Sequence, residues 1–486
     1  MPTDMFKYTY HIWYSMGCTP DLWAKNWIEK KRIEDPEKVK GWTIEKRGGS
    51  HYIKWGSTYW DKDTKKYRKI SKHIGTLNPN GTVTYAEPVS ASIPNDVKDH
   101  GNAYVLEKAS ERIVGPLKEA FPDIWKELLA LAQLRLLDCP RLNHAGDVWR
   151  LIDDTRGLSP RMSPEILSDV LNAAGRSVGQ REEFFSAMDD DERCLIIDMS
   201  AVFSRSEGAF MLRKGYNRYR FQGTQFNLVA VCGASSGIPK RLGMVCGNVK
   251  ENSFKGMLRE FGIAGNSILV IDRGYCGKAI LNEIIKAGHD FVVAAKRNNA
   301  AYETVNENRK RFTWGGRAID CWTGKCWGYY AYRFEDASLK ADELYDKYKA
   351  EEEKGIEPKE LDKTGNILLI SSLDLPPKDV YRMYKLRCAV ENFFDTAKNG
   401  LYGDSTYMRT DTHIMGYNFV TFLAFCIWHD IHLRLEAAGL EHRYSPANVL
   451  RKFAAVKMYY MSDGPKMSAV PKDVRELGTE IGIELA

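Results

Sequence analysis

The sequence predicts an α/β protein, a mixed sheet with flanking helices, on three observations. Between residues 194 and 295 five near-continuous apolar runs succeed one another, at 194–198, 226–231, 238–245, 267–271 and 291–295. Runs of that length read as strands buried on both faces. The first three follow in direct succession, whereas helical stretches at 253–261 and 276–287 separate the later ones, which is the order of a mixed sheet with helices packed on it. The 486 residues, 44% hydrophobic and 12% aromatic, supply enough apolar surface for two or three domains. Global disorder, collagen-like repeats and low complexity are excluded.

Taken in order, the chain divides into a basic β-rich N-terminal region (1–95), a helical region (96–190), a first part of the core (191–300), a β-rich insertion (301–365), a second part of the core with a long helix (366–410), and a helical C-terminal region (411–486). In the first region, aromatic and β-branched runs at 51–60 and 66–75 flank the turn-like Asp61-Lys62-Asp63-Thr64, which predicts a β-hairpin carrying Lys65, Lys66, Arg68, Lys69 and Lys72. Residues 1–80 hold 16 Lys and Arg against 9 Asp and Glu, a net of +7, while the whole chain carries +6. The positive surplus is therefore concentrated here. A basic aromatic hairpin suits a phosphate backbone, and it equally suits a solvated edge strand guarded by lysines.

A Pro-, Asn- and Gly-rich linker spans 77–102, and helical spacing follows at 104–137. Ser163 followed by Pro164 opens a further helix as N-cap and first-turn proline. The insertion begins with aromatic strands around Trp314, Trp322, Trp327, Tyr329 and Tyr330, then becomes the charge-rich, solvated arm 336–363. A sixth core strand resumes at 366–370. The tail beyond His413 reads as predominantly helical. Its apolar stretch 419–433 is interrupted by His429, Asp430 and His432, which predicts a buried helix and no membrane span. Phe419, Phe422, Leu423, Phe425 and Ile427 suit packing on the core better than a subunit contact, and the two histidines read as polar members of that face. The ten cysteines include no CxxC pair, so reduced thiols of a cytosolic protein are expected, and residues 1–18 do not have the pattern of a secretory signal.

Three acidic positions carry the candidate chemistry. Asp198 and Asp272 each terminate an apolar run, where open α/β sheets bind ligands, although a strand-terminal Asp taken singly also suits a turn or a helix cap. Tyr384, Arg387, Glu391 and Lys398 stand at offsets 0, 3, 7 and 14 in the predicted helix 380–398. At roughly 100° per residue they form a stripe about 60° wide beside an apolar face. Glu391 could reach a metal while Arg387 and Lys398 meet phosphate oxygens, and an ordinary surface helix with Arg–Glu pairs has the same spacing.

That spacing, Tyr-x2-Arg-x3-Glu-x6-Lys, resembles without a gap the YREK signature of a large group of bacterial insertion-sequence transposases with a DDE catalytic triad. Leu-Ile-Ile-Asp198 and Val-Ile-Asp272-Arg-Gly-Tyr resemble the pieces that carry the group's two aspartates, and the basic hairpin resembles the first domain of a subgroup. The resemblance implies an RNase H-like core on which Asp198, Asp272 and Glu391 bind two Mg2+ ions, with Mn2+ able to substitute. It implies that Tyr384, Arg387 and Lys398 contact phosphates, that Arg205 faces end DNA, and that one of Trp314, Trp322 and Trp327 stacks on a flipped base. It further implies cut-and-paste transposition, a DNA hairpin intermediate, and a homodimer on paired ends of double-stranded DNA, bound at terminal inverted repeats and at target, in the nucleoid-associated bacterial cytoplasm. In-line displacement at a phosphodiester needs a deprotonated nucleophile and a relieved leaving oxygen, and paired hard cations held by carboxylates serve both. The alternatives are an RNase H-like nuclease that only hydrolyses and a non-catalytic DNA-binding repressor derived from a transposase.

Overall fold

In the computed structural model the described residues are 19–61, 65–86, 94–190, 192–204, 206, 208–215, 223–248, 263, 265–355, 357, 361–387 and 405–485. Two compact units divide the chain, Met1–Ile93 and Pro94–Ala486.

In the first unit the helix Leu22–Glu34 packs on a four-stranded antiparallel sheet of β1 (Trp42–Arg47), β2 (Ser50–Asp61), β3 (Lys66–Leu77) and β4 (Val83–Tyr85), in the order β1-β2-β3-β4. Ala24, Ile28, Val39, Trp42, Ile53 and Leu77 form its small core. The predicted hairpin is β2–β3, paired from His51↔Leu77 to Asp61↔Lys66. Its neighbours stop early: β1 reaches only to Trp55, and β4 covers only Gly75 to Leu77. Among the described residues the distal half of the hairpin is thus a two-stranded ribbon.

The second unit is built on one long sheet. Five strands form its centre: β6 (Cys194–Ser204), β8 (Thr224–Gly233), β9 (Pro239–Cys246), β10 (Ile268–Ile271) and β11 (Asp290–Ala294). They lie in the order β9-β8-β6-β10-β11, with β8 antiparallel to both β6 and β9, and β10 and β11 parallel to β6. This 3-2-1-4-5 arrangement is RNase H-like. Alternation along each strand divides the core into two layers. Ile196, Val270 and Val292 face one apolar layer, and Ile197, Ile271 and Val293 face the other. The helix Lys278–Lys286 covers the second layer through Ile280, Leu281 and Ile284. The predicted helix 253–261 lies outside the described residues.

The insertion does not form a sheet of its own. Its strands β12 (Glu307–Trp314), β13 (Arg317–Cys326) and β14 (Tyr329–Asp336) make a meander whose last strand pairs antiparallel with β15 (Asn366–Ser371). β15 in turn pairs antiparallel with β11, so the insertion extends the core sheet. Sequence separation concealed this, because the charged helix Ala337–Lys354 stands between β14 and β15. Asp336 caps that helix by accepting hydrogen bonds from the Ser338 and Leu339 N–H groups at 3.0 and 3.2 Å.

On the other face lie the helices between Gly101 and Ala187 and the 27-residue helix Asp411–Ala437. By length and composition this last helix could cross a membrane, but Phe419 to Ile427 are all buried within the protein. Phe121, Phe184 and Phe185 pack edge-on or tilted against Phe419 at ring distances of 5.3 to 6.0 Å. Two glycines set its closest crossing: a Cβ on Gly416 would lie 1.9 Å from the Leu171 carbonyl, and one on Gly175 would lie 1.8 Å from that of Thr412. The apolar face expected to pack does so. The tail is not helical throughout, since β17 (Lys457–Met461) and β18 (Gly464–Met467) form a hairpin around Ser462-Asp463. β17 pairs with β5 (Asp96–Asp99), so a strand also opens the region expected to be helical.

Candidate active site

Register brings the two aspartates together. β6 and β10 run parallel with Ile271 opposite Ile197, so the next residue of each strand, Asp272 and Asp198, stand side by side on strands about 4.8 Å apart. Ile196 and Val270, two residues earlier on each strand, face the same apolar layer, and both carboxylates therefore project to that face. Asp198 does not end its strand, as the break in the apolar run suggested. β6 continues to Ser204 because its antiparallel partner β8 keeps pairing, with Ala230 opposite Asp198. Only the β10 ladder ends here, which opens the sheet on that side of Asp198.

Each aspartate also answers the simpler reading. Asp272 stands at the N-cap position of the short turn Arg273–Tyr275 without a side-chain capping bond. Asp198 accepts a hydrogen bond from the Met199 N–H at 2.8 Å through Oδ1. Its Oδ2 lies 3.6 Å from Nη1 of Arg387, and the same nitrogen lies 3.6 Å from Oδ1 of Asp272. One guanidinium thus faces both carboxylates, and the three side chains are only 21%, 31% and 19% exposed for Asp198, Asp272 and Arg387. Two adjacent carboxylates in partial burial repel each other, and a cation between them offsets that cost.

Arg387 is delivered by the helix Pro377–Lys385. Proline at its first turn suits the unpaired N–H positions there. Val380 and Tyr381 are fully buried, and Tyr381 packs against Phe312, Phe334 and Trp314 of the extended sheet. The described helix ends at Lys385, the Arg387 N–H closes a tight turn onto the Tyr384 carbonyl at 3.2 Å, and positions 388–398 of the predicted helix lie outside the described residues. The Arg387 guanidinium lies 5.6 Å from the centre of the Tyr384 ring. Glu391, Lys398 and Arg205 lie outside the described residues.

The three candidate tryptophans occupy different settings. Trp314 is half-buried against Tyr381 at 6.3 Å. Trp322 is held between Arg309 and Arg333, whose guanidinium carbons lie 5.5 and 4.4 Å from its ring. Trp327 is 40% exposed at the tip of the β13–β14 hairpin, with φ +56° followed by Gly328 at +91°. Two successive positive φ values make the primed turn that matches strand twist, and a tryptophan is an uncommon occupant of it. In the first unit, Lys65, Lys66, Arg68 and Lys69 are exposed on the ribbon beside the exposed Tyr67 and Ile70.

Residues 189–427 match the family described as the transposase DDE domain. The matched segment contains both aspartates, Arg387 and all strands of the extended sheet. A solved structure described as a cryo-EM structure of the piggyBac transposase synaptic complex with hairpin DNA is similar at 10% sequence identity and a TM-score of 0.38, over 72% of this chain and 78% of that one. No curated protein matches the chain. Among the described residues no three His, Cys, Asp or Glu side chains cluster as metal ligands. The paired oxygens of Asp198 and Asp272 nevertheless fit a hard divalent cation, since such ions take carboxylates in preference to thiols or imidazoles. The sequence did not disclose that Arg387 meets both carboxylates, because strand register and the placement of the helix decide that contact.

Proposed function

We propose that the protein is a DDE transposase of the YREK-signature group, catalysing cleavage and strand transfer of DNA in the cut-and-paste movement of an insertion sequence. The observation that carries this reading is the pairing of Asp198 with Asp272 at the end of the parallel β6–β10 ladder, in the segment that matches the transposase DDE domain.

Asp198 and Asp272, with Glu391 as the third carboxylate, would hold two Mg2+ ions, or Mn2+ in their place. Such ions supply a deprotonated nucleophile and charge relief at the leaving oxygen. Around them, Tyr384, Arg387 and Lys398 orient the scissile strand through its phosphates, and Arg205 faces the end DNA. The ribbon bearing Lys65, Lys66, Arg68 and Lys69 grips the duplex backbone without reading bases. A water attacks first, and the liberated 3′ hydroxyl is then positioned against a second phosphate at the same carboxylates. Where that second phosphate lies on the opposite strand, a DNA hairpin forms, and one of Trp314, Trp322 and Trp327 stacks on the displaced base. Two ends must be cut to free an element, so a homodimer on paired ends follows.

The test is strand transfer of a precut 3′ end into plasmid DNA by the full chain with Mg2+. Joined product is expected, and Asp198→Asn, Asp272→Asn and Glu391→Gln should each abolish it. Hydrolysis without any joined product would instead identify a nuclease. Undiminished cleavage by the three variants would remove the catalytic assignment altogether.

A further inference from the structure

We propose that Arg387 holds the place of a divalent cation between Asp198 and Asp272 in the metal-free protein, and that ion binding displaces it. The inference rests on the metal-dependent reading of these carboxylates given above.

Its basis is the geometry of one atom. Nη1 of Arg387 lies at equal distance, 3.6 Å, from one oxygen of each aspartate, a position that a shared cation would also seek. A guanidinium stays charged at every pH a protein survives, so the carboxylates are compensated whether or not an ion is present. Divalent ions sit about 2.0 to 2.6 Å from carboxylate oxygens. An ion so placed would lie within a few ångströms of the guanidinium, and like charges in a half-buried site repel strongly. The two cations therefore compete for one location.

The surroundings allow exchange. Arg387 follows the end of the helix Pro377–Lys385, so its side chain can swing without unwinding that helix. The Tyr384 ring beneath it offers a second surface for the guanidinium. Once displaced, Arg387 becomes available to a DNA phosphate. Arg387 is accordingly a positioning residue that couples ion loading to the grip on the scissile strand.

Isothermal titration of the full chain with Mn2+, without DNA, tests this apart from catalysis. Arg387→Gln should bind Mn2+ about tenfold more tightly than the wild type, a difference of about 1.4 kcal/mol. Arg387→Lys, which keeps a charge but loses the fork, should fall between them and serves if the Gln variant does not fold. Equal or weaker binding by both variants would overturn the proposal, since it would mean that Arg387 orders the carboxylates for the ion. If wild type and variants all bind Mn2+ no better than Asp198→Asn, the metal-site reading itself fails.

Discussion

The basic ribbon of the N-terminal unit and the acidic centre of the core sheet use charge under opposite physical conditions. On the ribbon, Lys65, Lys66, Arg68 and Lys69 are exposed on strands whose neighbours have ended, and each charge is screened by water and salt. At the sheet centre, Asp198, Asp272 and Arg387 are mostly shielded and lie within ion-pair distance of one another. Charges of the first kind act additively and weakly on a polyanion. Those of the second kind are strongly coupled, so removing one changes what the others can do.

This difference is open to direct measurement. The largest effect is expected at the sheet centre: Asp198→Asn or Asp272→Asn should lower DNA cleavage by about a thousandfold or more while duplex affinity changes little. A variant that keeps cleaving would place the chemistry elsewhere. On the ribbon, replacing Lys65, Lys66, Arg68 and Lys69 together by Ala should weaken duplex binding and lower the slope of log affinity against log salt, by about 0.9 for each DNA phosphate that is no longer neutralised. Fluorescence anisotropy across a salt series measures it, and an unchanged slope would return these residues to the role of a guarded edge.

Burial makes a third prediction, on stability. His429 lies in the helix Asp411–Ala437, with its Nε2 3.2 Å from the Ser236 carbonyl, and burial pushes its ring down from 6.5 to about 4. Below pH 6.5 the unfolded chain takes up a proton that the folded chain refuses, so this contribution is complete above that pH and fades as pH falls toward 4. Urea unfolding should show about 2 to 3 kcal/mol lost across that window, and His429→Asn should flatten it. The smallest effects separate the tryptophans. Trp327→Ala should leave stability within about 0.5 kcal/mol of wild type, whereas Trp314→Ala should cost about 1 to 3 kcal/mol through its packing on Tyr381. If a displaced base stacks on Trp327, only that substitution should reduce hairpin product.

The core strands were legible because near-continuous apolar runs survive as local signals, and the β2–β3 hairpin because its turn is contiguous in sequence. The extension of the sheet through β15 was not, since β14 and β15 are separated by the helix Ala337–Lys354 and are joined only by pairing. The same limit concealed the continuation of β6 past Asp198, which depends on β8. The β17–β18 hairpin was missed for a different reason. Its strands are short, and a third strand far away in the chain, β5, completes them.

For the site, the residue types were local information: two aspartates after apolar runs, and the tyrosine and arginine of a recurring spacing. Which side chains meet was not. The approach of Arg387 to both carboxylates follows from the parallel register of β6 and β10, from Tyr381 anchoring the preceding helix, and from the turn that ends it. The amino-acid order alone determined the chemistry available to this protein, because side-chain functional groups and local periodicity are written in it. The tertiary structure decided which charges lie together and away from water, because strand register and helix packing are long-range choices that no short segment encodes.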